Sequence, residues 1–384
     1  MLIKSLYLRN FRCYEEAFAS FGPNVNLIVG ENASGKTSLL EAIYFLSTGR
    51  SFRTTHLNDL ITHGASFFYL EASFLKDGVE QTLKVFFDGK IRKVHLNQKS
   101  YSSFIPLLGA APTVLFAPEH LSIVSGPPAE RRHFLDLHIA QTDPLYLHHL
   151  LRYSKALRQR NTLLRQKSEE TLLAWETAMS SSASYLIQKR MAIISELALL
   201  ATEHMRAFSS GSETLEMAYQ STLSLPKADE EITAHFCEQF KRMRSREMAL
   251  GNTLIGPHRD DLILTISQRP ARIFSSEGQK CCCLAALRFA EWERLKKCIH
   301  STPVMSIDDF GMHLDVKRLD QLQGQLQNLS QVFLTAPLLA LPMPSQTLHV
   351  ANGKITLNVL DKHTPEESTW DQSISLVASE KTDQ

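Results

Sequence analysis

The sequence has little that would tie it to an oxidising compartment, a membrane or a highly charged surface. Its six cysteines, Cys13, Cys237, Cys281, Cys282, Cys283 and Cys298, include no Cys-x-x-Cys pair, and three of them are adjacent. That pattern fits neither a disulfide framework nor a tetrahedral zinc site, and predicts small buried thiols in a reducing cytosol. Net charge is nearly absent: the 384 residues balance to +1 at pH 7. No global field draws such a chain to nucleic acid or lipid, so any affinity of that kind must come from local basic patches. Long apolar runs are also missing, and none reaches the roughly 18 residues that a membrane span needs. The opening stretch, MLIKSLYLRNFRCYEE, breaks its apolar positions with charge and carries no secretory-leader pattern. Together these absences predict a cytoplasmic protein with no membrane partner.

What is present is ordinary globular composition, 43% hydrophobic and 21% charged, at a length that suggests two domains. Residues 25–29, VNLIV, read as a short buried strand running into a glycine-containing loop. TSLLEAIYFLS (37–47) then shows helical apolar spacing. Residues 67–98 alternate in short runs separated by KDG and DGK, both hairpin signals. PTVLFAPEH (112–120) reads as another buried strand. From about 128 to 250 strand signals disappear and helical periodicity takes over. Strands return as DLILTI (261–266), PVMSI (303–307), QVFLT (331–335) and LHVANGKITLNV (348–359), the last a hairpin about Asn352-Gly353. A sheet fed from both ends of the chain predicts an α/β head made of 1–120 and 251–361, with an antiparallel β subdomain. A mainly helical lobe, 121–250, interrupts it. The polar tail, 362–384, is expected to be disordered.

GENASGKT, between the first strand and the first helix, fits the pattern Gly-x4-Gly-Lys-Ser/Thr. In such a loop the backbone N–H groups of Gly30, Glu31, Asn32, Ala33, Ser34 and Gly35 face phosphate oxygens, helped by the positive end of the following helix. Lys36 reaches the β- and γ-phosphates of a nucleotide, and the Thr37 hydroxyl is a Mg²⁺ ligand. An acidic partner is needed at the end of a neighbouring buried strand. IDDFGMHLD supplies Asp308 and Asp309 directly after PVMSI. Two carboxylates there are costly without a cation, and Mg²⁺ is the natural one. Asp308 is assigned to the metal and Asp309 to orienting the attacking water.

SSEGQKCCCLAALRFAEWERL (275–295) opens a long amphipathic helix with Ser276, Gly278 and Gln279. The plainer reading of Ser276 is an N-cap; the more specific one is a second anion site. In this order, between phosphate loop and carboxylate strand, the stretch resembles the signature of ABC-type ATPases. Several further stretches carry a closer resemblance: LYLRNFRCYEE, LFAPEHLSIVSGPPAERRHFLD, YSKALRQRNTLL, IGPHRDDL and IDDFGMHLD. The chain resembles the RecF family, bacterial recombination and gap-repair ATPases related to the SMC group, from residue 6 to about 336.

That resemblance implies a P-loop ABC-type head with an inserted mainly helical lobe, binding ATP and Mg²⁺. It implies an ATP-induced two-fold dimer in which Ser276 of one copy caps the nucleotide on the Lys36–Thr37 loop of the other. His313–Asp315 would be the loop that touches the partner copy, and Thr335 would occupy the switch position near the γ-phosphate. Glu119 would take the place of the Q-loop residue. The implied role is a clamp on double-stranded DNA near gaps that acts with RecO and RecR and helps load RecA. Slow, DNA-stimulated ATP hydrolysis releases it. Three departures stand against the family pattern. Ala33 replaces a glycine, and its methyl is expected to fit only at negative φ. Glu277 puts a negative charge beside Ser276. Met312 and His313 replace more usual residues.

LLRYSKALRQRNTLLRQKS (150–168) holds six basic residues and no acid. Arg152, Lys155, Arg158 and Arg160 are the candidate DNA contacts, the first two and less well the third sharing one helical face. A solvated or internally paired helix face is the plainer reading of such a stripe. KRMRSR (241–246) is a second basic cluster, while Arg131, Arg132 and Tyr153 are expected to pack within the lobe. GPHRDD (256–261) lacks a nucleophile and a second metal ligand, and is read as a structural or interdomain ion-pair element near the ATP site. Two rivals to the clamp remain open: a nucleotide-gated DNA-binding module without significant hydrolysis, and a small-molecule kinase on a P-loop fold.

Overall fold

In the computed structural model the chain opens with an antiparallel pair, β1 (Leu2–Phe11) and β2 (Tyr14–Ser20), followed by β3 (Val25–Val29). All five β3 residues are buried, as expected of an interior parallel strand covered on both faces. Helix α1 (Lys36–Thr48) comes next, then β4 (Phe68–Lys76), β5 (Val79–Phe87), β6 (Arg92–Leu96), β7 (Lys99–Tyr101) and β8 (Thr113–Phe116). The β4–β5 turn places Asp77 and Gly78 at φ 52° and 79°, the double positive φ that a tight hairpin demands. The residues described are 1–224, 229–299, 301–311, 314–336, 345–357 and 374.

A mainly helical section follows: α2 (Ser122–Ser125), α3 (Pro128–Ala140), α4 (Pro144–Gln166) and the 37-residue α5 (Leu172–Phe208). After β9 (Leu215–Gln220) come α6 (Asp229–Leu250), β10 (Asp261–Ile266), β11 (Arg269–Pro270), α7 (Ala271–Phe274) and α8 (Glu277–Ile299). The chain then supplies β12 (Val304–Ile307), α9 (Val316–Leu326), β13 (Val332–Ala336), β14 (Ser345–Ala351) and β15 (Lys354–Leu357).

These elements form two compact units, Met1–Glu119 with Leu295–Gln384, and His120–Arg294. The first unit carries two six-stranded sheets. One is antiparallel, in the order β2-β1-β4-β5-β6-β7; the other runs β15-β14-β3-β13-β12-β8. In the second sheet β14, β3, β13, β12 and β8 are parallel, and β15 closes one edge antiparallel. Leu6, Phe11, Leu39, Phe45, Phe68 and Phe333 share one hydrophobic core that ties α1 to strands of both sheets. The antiparallel β subdomain and the sheet fed from both chain ends are therefore as the sequence predicts.

The boundaries differ. Residues 251–294, assigned above to the head, fold with the helical unit. The reason is β9, a strand inside the stretch expected to be wholly helical. LEMAYQ is rich in good helix formers, so local propensity points the wrong way. Its burial nevertheless alternates, with Glu216, Ala218 and Gln220 less covered in turn, because it pairs along its whole length with β10. DLILTI is thus recruited to the small sheet β11-β10-β9 of the second unit, not to the head. The expected tail, 362–384, lies outside the described residues except for Ile374, which packs on Tyr7, Tyr69 and Phe86 of the antiparallel sheet.

Candidate nucleotide site

β3 ends at Val29 and the chain turns through Gly30–Gly35 into α1. The two glycines are required by crowding. A Cβ on Gly30 would meet the Val350 carbonyl oxygen at 2.2 Å, and one on Gly35 would meet Cys13 Sγ at 2.8 Å and Tyr14 Oη at 2.9 Å, with φ at 121°. The Tyr14 hydroxyl donates to the Gly35 carbonyl oxygen at 2.9 Å and pins the loop to β2. Gly353, at the tip of the β14–β15 hairpin, donates its N–H to the Ser34 carbonyl oxygen at 3.4 Å. Neither brace was foreseen. The Asn352-Gly353 turn was legible, with φ 49° and 71° as a tight hairpin requires, but nothing in the sequence says what the tip touches.

The helix start is built to receive an anion. No side chain caps α1, and its first turn holds no acid. Its leading N–H groups and the positive end of its dipole are therefore uncommitted. The buried Ser34 hydroxyl has no hydrogen-bond partner among the described residues. Such an orphan is rare in native interiors and suits a phosphate oxygen. Lys36 is buried, and its ammonium donates to the carbonyl oxygens of Gly30 and Glu31 at 2.8 Å each. Glu31, Asn32 and Ala33 are exposed. Ala33 corrects the expectation above: its φ is +63°, in the left-handed region. That conformation costs an alanine about 1–2 kcal/mol but is not barred to it, and the residue is exposed.

Two strands away, Asp308 follows β12 and Thr335 lies in β13. Asp308 Oδ1 accepts from Thr37 Oγ1 at 3.1 Å and from Thr335 Oγ1 at 2.6 Å. The Asp309 N–H donates to Thr335 Oγ1 at 2.8 Å. Thr335 thus ties both aspartates to the strand beside β3, and Asp309 sits at a left-handed φ of 49°. Burial pushes the Asp308 carboxyl above the usual carboxylate range; the Thr335 and Thr37 hydrogen bonds oppose that, while the neighbouring Asp309 and Glu119 charges add to it. A carboxylate strained in this way gains from a cation. Among the described residues no three His, Cys, Asp or Glu side chains converge on a metal position. Thr37 and Asp308, bonded to each other at 3.1 Å, are two oxygen donors of the kind a small hard cation such as Mg²⁺ accepts, since it takes only one or two protein ligands.

In the second unit Ser276 forms a reciprocal capping box. Its Oγ accepts from the Gln279 N–H at 3.3 Å, and its own N–H donates to Gln279 Oε1 at 2.9 Å. The plainer reading of this serine is therefore correct as far as local structure goes. Ser276 and Gly278 both remain open to solvent, being exposed and half-buried respectively in a stretch of low cover. Glu277 does not face Ser276 unopposed: it pairs with Lys280 at 2.7 Å. Met312 and His313 lie outside the described residues.

The DNA candidates divide. Arg152, Lys155 and Arg158 are exposed on α4. Arg160, expected to contact DNA, is not a surface residue and cannot reach a phosphate in this fold. It is fully buried, bonded to Glu176 Oε1 at 2.9 Å, Glu247 Oε2 at 2.6 Å and Thr253 Oγ1 at 2.9 Å, with its guanidinium over the Phe240 ring. Arg244, from the second basic cluster, pairs with the same Glu176 at 2.6 Å. Tyr153 is buried, as expected, and Arg131 pairs with Asp261 through two bonds of 2.8 Å. GPHRDD is accordingly a structural ion-pair element within one unit.

The parallel sheet, the uncapped phosphate loop, the carboxylate strand and the serine-capped helix together define a P-loop ATPase head of the ABC/SMC class. Residues 2–338 match the family described as RecF/RecN/SMC N terminal domain. The chain is 47% identical to the DNA replication and repair protein RecF of Protochlamydia amoebophila, covering 87% of this chain and 94% of that one. It is 40% identical to the protein of the same name from Chlamydia abortus, over 93% and 96% of the two chains. The chain belongs to the RecF family. Among solved structures, the recombination mediator protein RecF with ATP, of the RecFOR pathway, superposes with a TM-score of 0.86 at 27% identity, covering 93% of this chain and 98% of that one. The Smc head domain of Pyrococcus furiosus shares the fold at a TM-score of 0.55 and 16% identity, over 98% of each chain.

Proposed function

We propose that this chain is an ATP-dependent DNA-binding protein of recombinational repair and replication. The observation that carries the reading is the Thr37–Asp308 pair set beside an uncapped helix start, with Ser34 and Lys36 lining the same loop. Those groups suit the β- and γ-phosphates of ATP, and Thr37 and Asp308 would hold a Mg²⁺ that neutralises phosphate charge. Asp309 then orients water for a slow hydrolysis that DNA stimulates, and Thr335 keeps both carboxylates in register. The RecF neighbour solved with ATP supports the same nucleotide here. Ser276, at the head of α8, caps the nucleotide of a second copy, so that ATP draws two chains into a clamp on double-stranded DNA near gaps. RecO and RecR are the partners, with RecA loading as the outcome.

The test is sizing by sedimentation with and without a non-hydrolysable ATP analogue, on the wild type and on Ser276→Arg. The wild type is expected to dimerise with the analogue. The variant is expected to bind the analogue and stay a monomer. A wild-type chain that binds the analogue and remains monomeric in the presence of gapped duplex removes the clamp.

A further inference from the structure

The second unit contains an open cleft of about 280 Å³ that the nucleotide chemistry does not use. That lies near the lower limit for small-ligand pockets, roughly 300–1,000 Å³. Its floor is rigid and chemically spent. Arg190 gives its N–H groups to Asp136, to the Tyr146 hydroxyl and to the Pro257 carbonyl oxygen. Tyr153 Oη and His258 Nδ1 are 2.7 Å apart, and His258 Nε2 lies 3.2 Å from the Thr253 carbonyl oxygen. Burial pushes the His258 imidazole down to about 4, so it is neutral at physiological pH. The acids nearby are likewise occupied: Asp260 accepts from Tyr219 and Thr222, and Asp261 from Arg131.

Arg132 is the exception. It lines the cleft half-buried, and its one hydrogen bond among the described residues is from Nη1 to the Asp260 carbonyl oxygen at 2.9 Å. Burial, then the neighbouring Arg190, press its guanidinium toward the neutral form, while the Asp261, Asp136 and Asp260 charges partly oppose that; with its neighbours' acids bonded elsewhere, an anion placed directly against it adds a partner of its own. Beside it Ser154 offers a hydroxyl, while Leu157 and Pro257 form an apolar wall. On α4 the residues following the lining positions Ser154 and Leu157 are Lys155 and Arg158, both exposed, and Arg259 is exposed after the lining His258.

We propose that this cleft seats one sugar-phosphate unit of a nucleic-acid strand, with Arg132 gripping its phosphate and Leu157 and Pro257 packing on the sugar. A lone carboxylate from a peptide would satisfy Arg132 equally well. It would leave the exposed cations Lys155, Arg158 and Arg259, each one residue beyond a lining position, without a purpose, whereas a strand offers further phosphates to them. The contact carries register, not base sequence. The inference rests on the DNA-binding reading above.

The experiment is anisotropy of the full chain, loaded with ATP, on fluorescent gapped duplex over a salt series. Arg132→Gln keeps a donor for the Asp260 carbonyl oxygen and removes the charge. Ser154→Trp, on the half-exposed side of α4, fills the cleft without touching that bond. Each is expected to weaken gapped-DNA binding about three- to tenfold, and Arg132→Gln to lower the salt slope by about one counterion, with ATP affinity unchanged. A strand bearing 5-iodouracil is expected to photocrosslink to His133 or His258 in the wild type and not in Ser154→Trp. Both variants binding like the wild type, or a polyglutamate peptide blocking the crosslink more effectively than unlabelled DNA, overturns the cleft and leaves the clamp standing. A wild-type chain with no affinity for DNA overturns both.

Discussion

Arg160 and Asp308 are both buried, and the two units treat these charges in opposite ways. Around Arg160 nearly everything is answered: two glutamates, a threonine hydroxyl and an aromatic face surround the guanidinium, and Glu176 is shared onward with Arg244. Around Asp308 the answers are partial. Two threonine hydroxyls reach it, a second aspartate follows it, and the Ser34 hydroxyl on the phosphate loop finds no partner among the described residues. A satisfied buried network stabilises a scaffold, whereas an unsatisfied one holds interaction energy in reserve for a ligand. The contrast separates architecture from site without reference to any relative.

The sharpest way to break that contrast is Arg160→Met. The substitution leaves Glu176 and Glu247 buried without their shared cation, and breaking a buried pair in this manner costs about 3–5 kcal/mol. Urea unfolding is expected to show that loss in the second unit, with ATP affinity of the surviving native protein unchanged. A variant as stable as the wild type would mean that Arg160 is not the hub of the α4–α5–α6 packing. Next in size is Lys36→Ala. Among the described residues its ammonium is held by two loop carbonyl oxygens, so removing it is expected to leave the melting temperature within about two degrees. ATP affinity should fall on the order of 100-fold, as expected when one charge-assisted hydrogen bond to phosphate is removed. Calorimetric titration measures the second effect and thermal unfolding the first.

The phosphate loop was legible because its chemistry is local: a short apolar strand, a spaced glycine pair and Lys36-Thr37 sit within one stretch. Asp308 was legible for a similar reason, as a charge directly after an apolar strand. Arg160 was misread because its partners lie far along the chain. The helix segment carrying it has no acid, and the carboxylates that claim it come from Glu176 on α5 and Glu247 on α6. Among four basic residues on one stretch, only the three-dimensional fold distinguishes the one turned inward. The strand at 215–220 failed differently, since its residues favour helix and only pairing with β10 makes it extended. Ala33 departs from the expectation because the left-handed region is disfavoured for alanine and not barred to it.

A smaller effect, opposite in sign for stability and function, is expected from Asp308→Asn. The Asp308 carboxyl is raised by burial, so its proton is held more tightly in the folded chain than in the unfolded one. Its contribution to stability is therefore fully present below the unfolded pKa and is lost as pH rises through the folded value. At neutral pH the wild type bears that loss, and the asparagine, which keeps an acceptor for Thr37 and Thr335, does not. Asp308→Asn is expected to melt higher than the wild type at pH 7, with the difference shrinking as the pH falls to about 3, below the ordinary carboxylate range. Mg²⁺-dependent ATP turnover is expected to fall by about tenfold or more. A variant that loses stability at pH 7 would show that the carboxylate is already well satisfied, and would erase the distinction drawn from Arg160.

The mildest perturbation tests the exposed end of the same comparison. Arg152, Lys155 and Arg158 lie on the helix that also carries Arg160, but in solvent, where a single charge contributes little to folding. Converting all three to glutamine is expected to change unfolding free energy by less than about 0.5 kcal/mol. If they pair with phosphates, each pairing removed should flatten the dependence of DNA affinity on salt by about 0.9 for duplex. The discriminating quantity is thus the slope, not the affinity at one salt concentration, because a slope reports how many ions are displaced. An unchanged slope with unchanged stability would assign the stripe to plain solvation and move the DNA surface to another face of the protein.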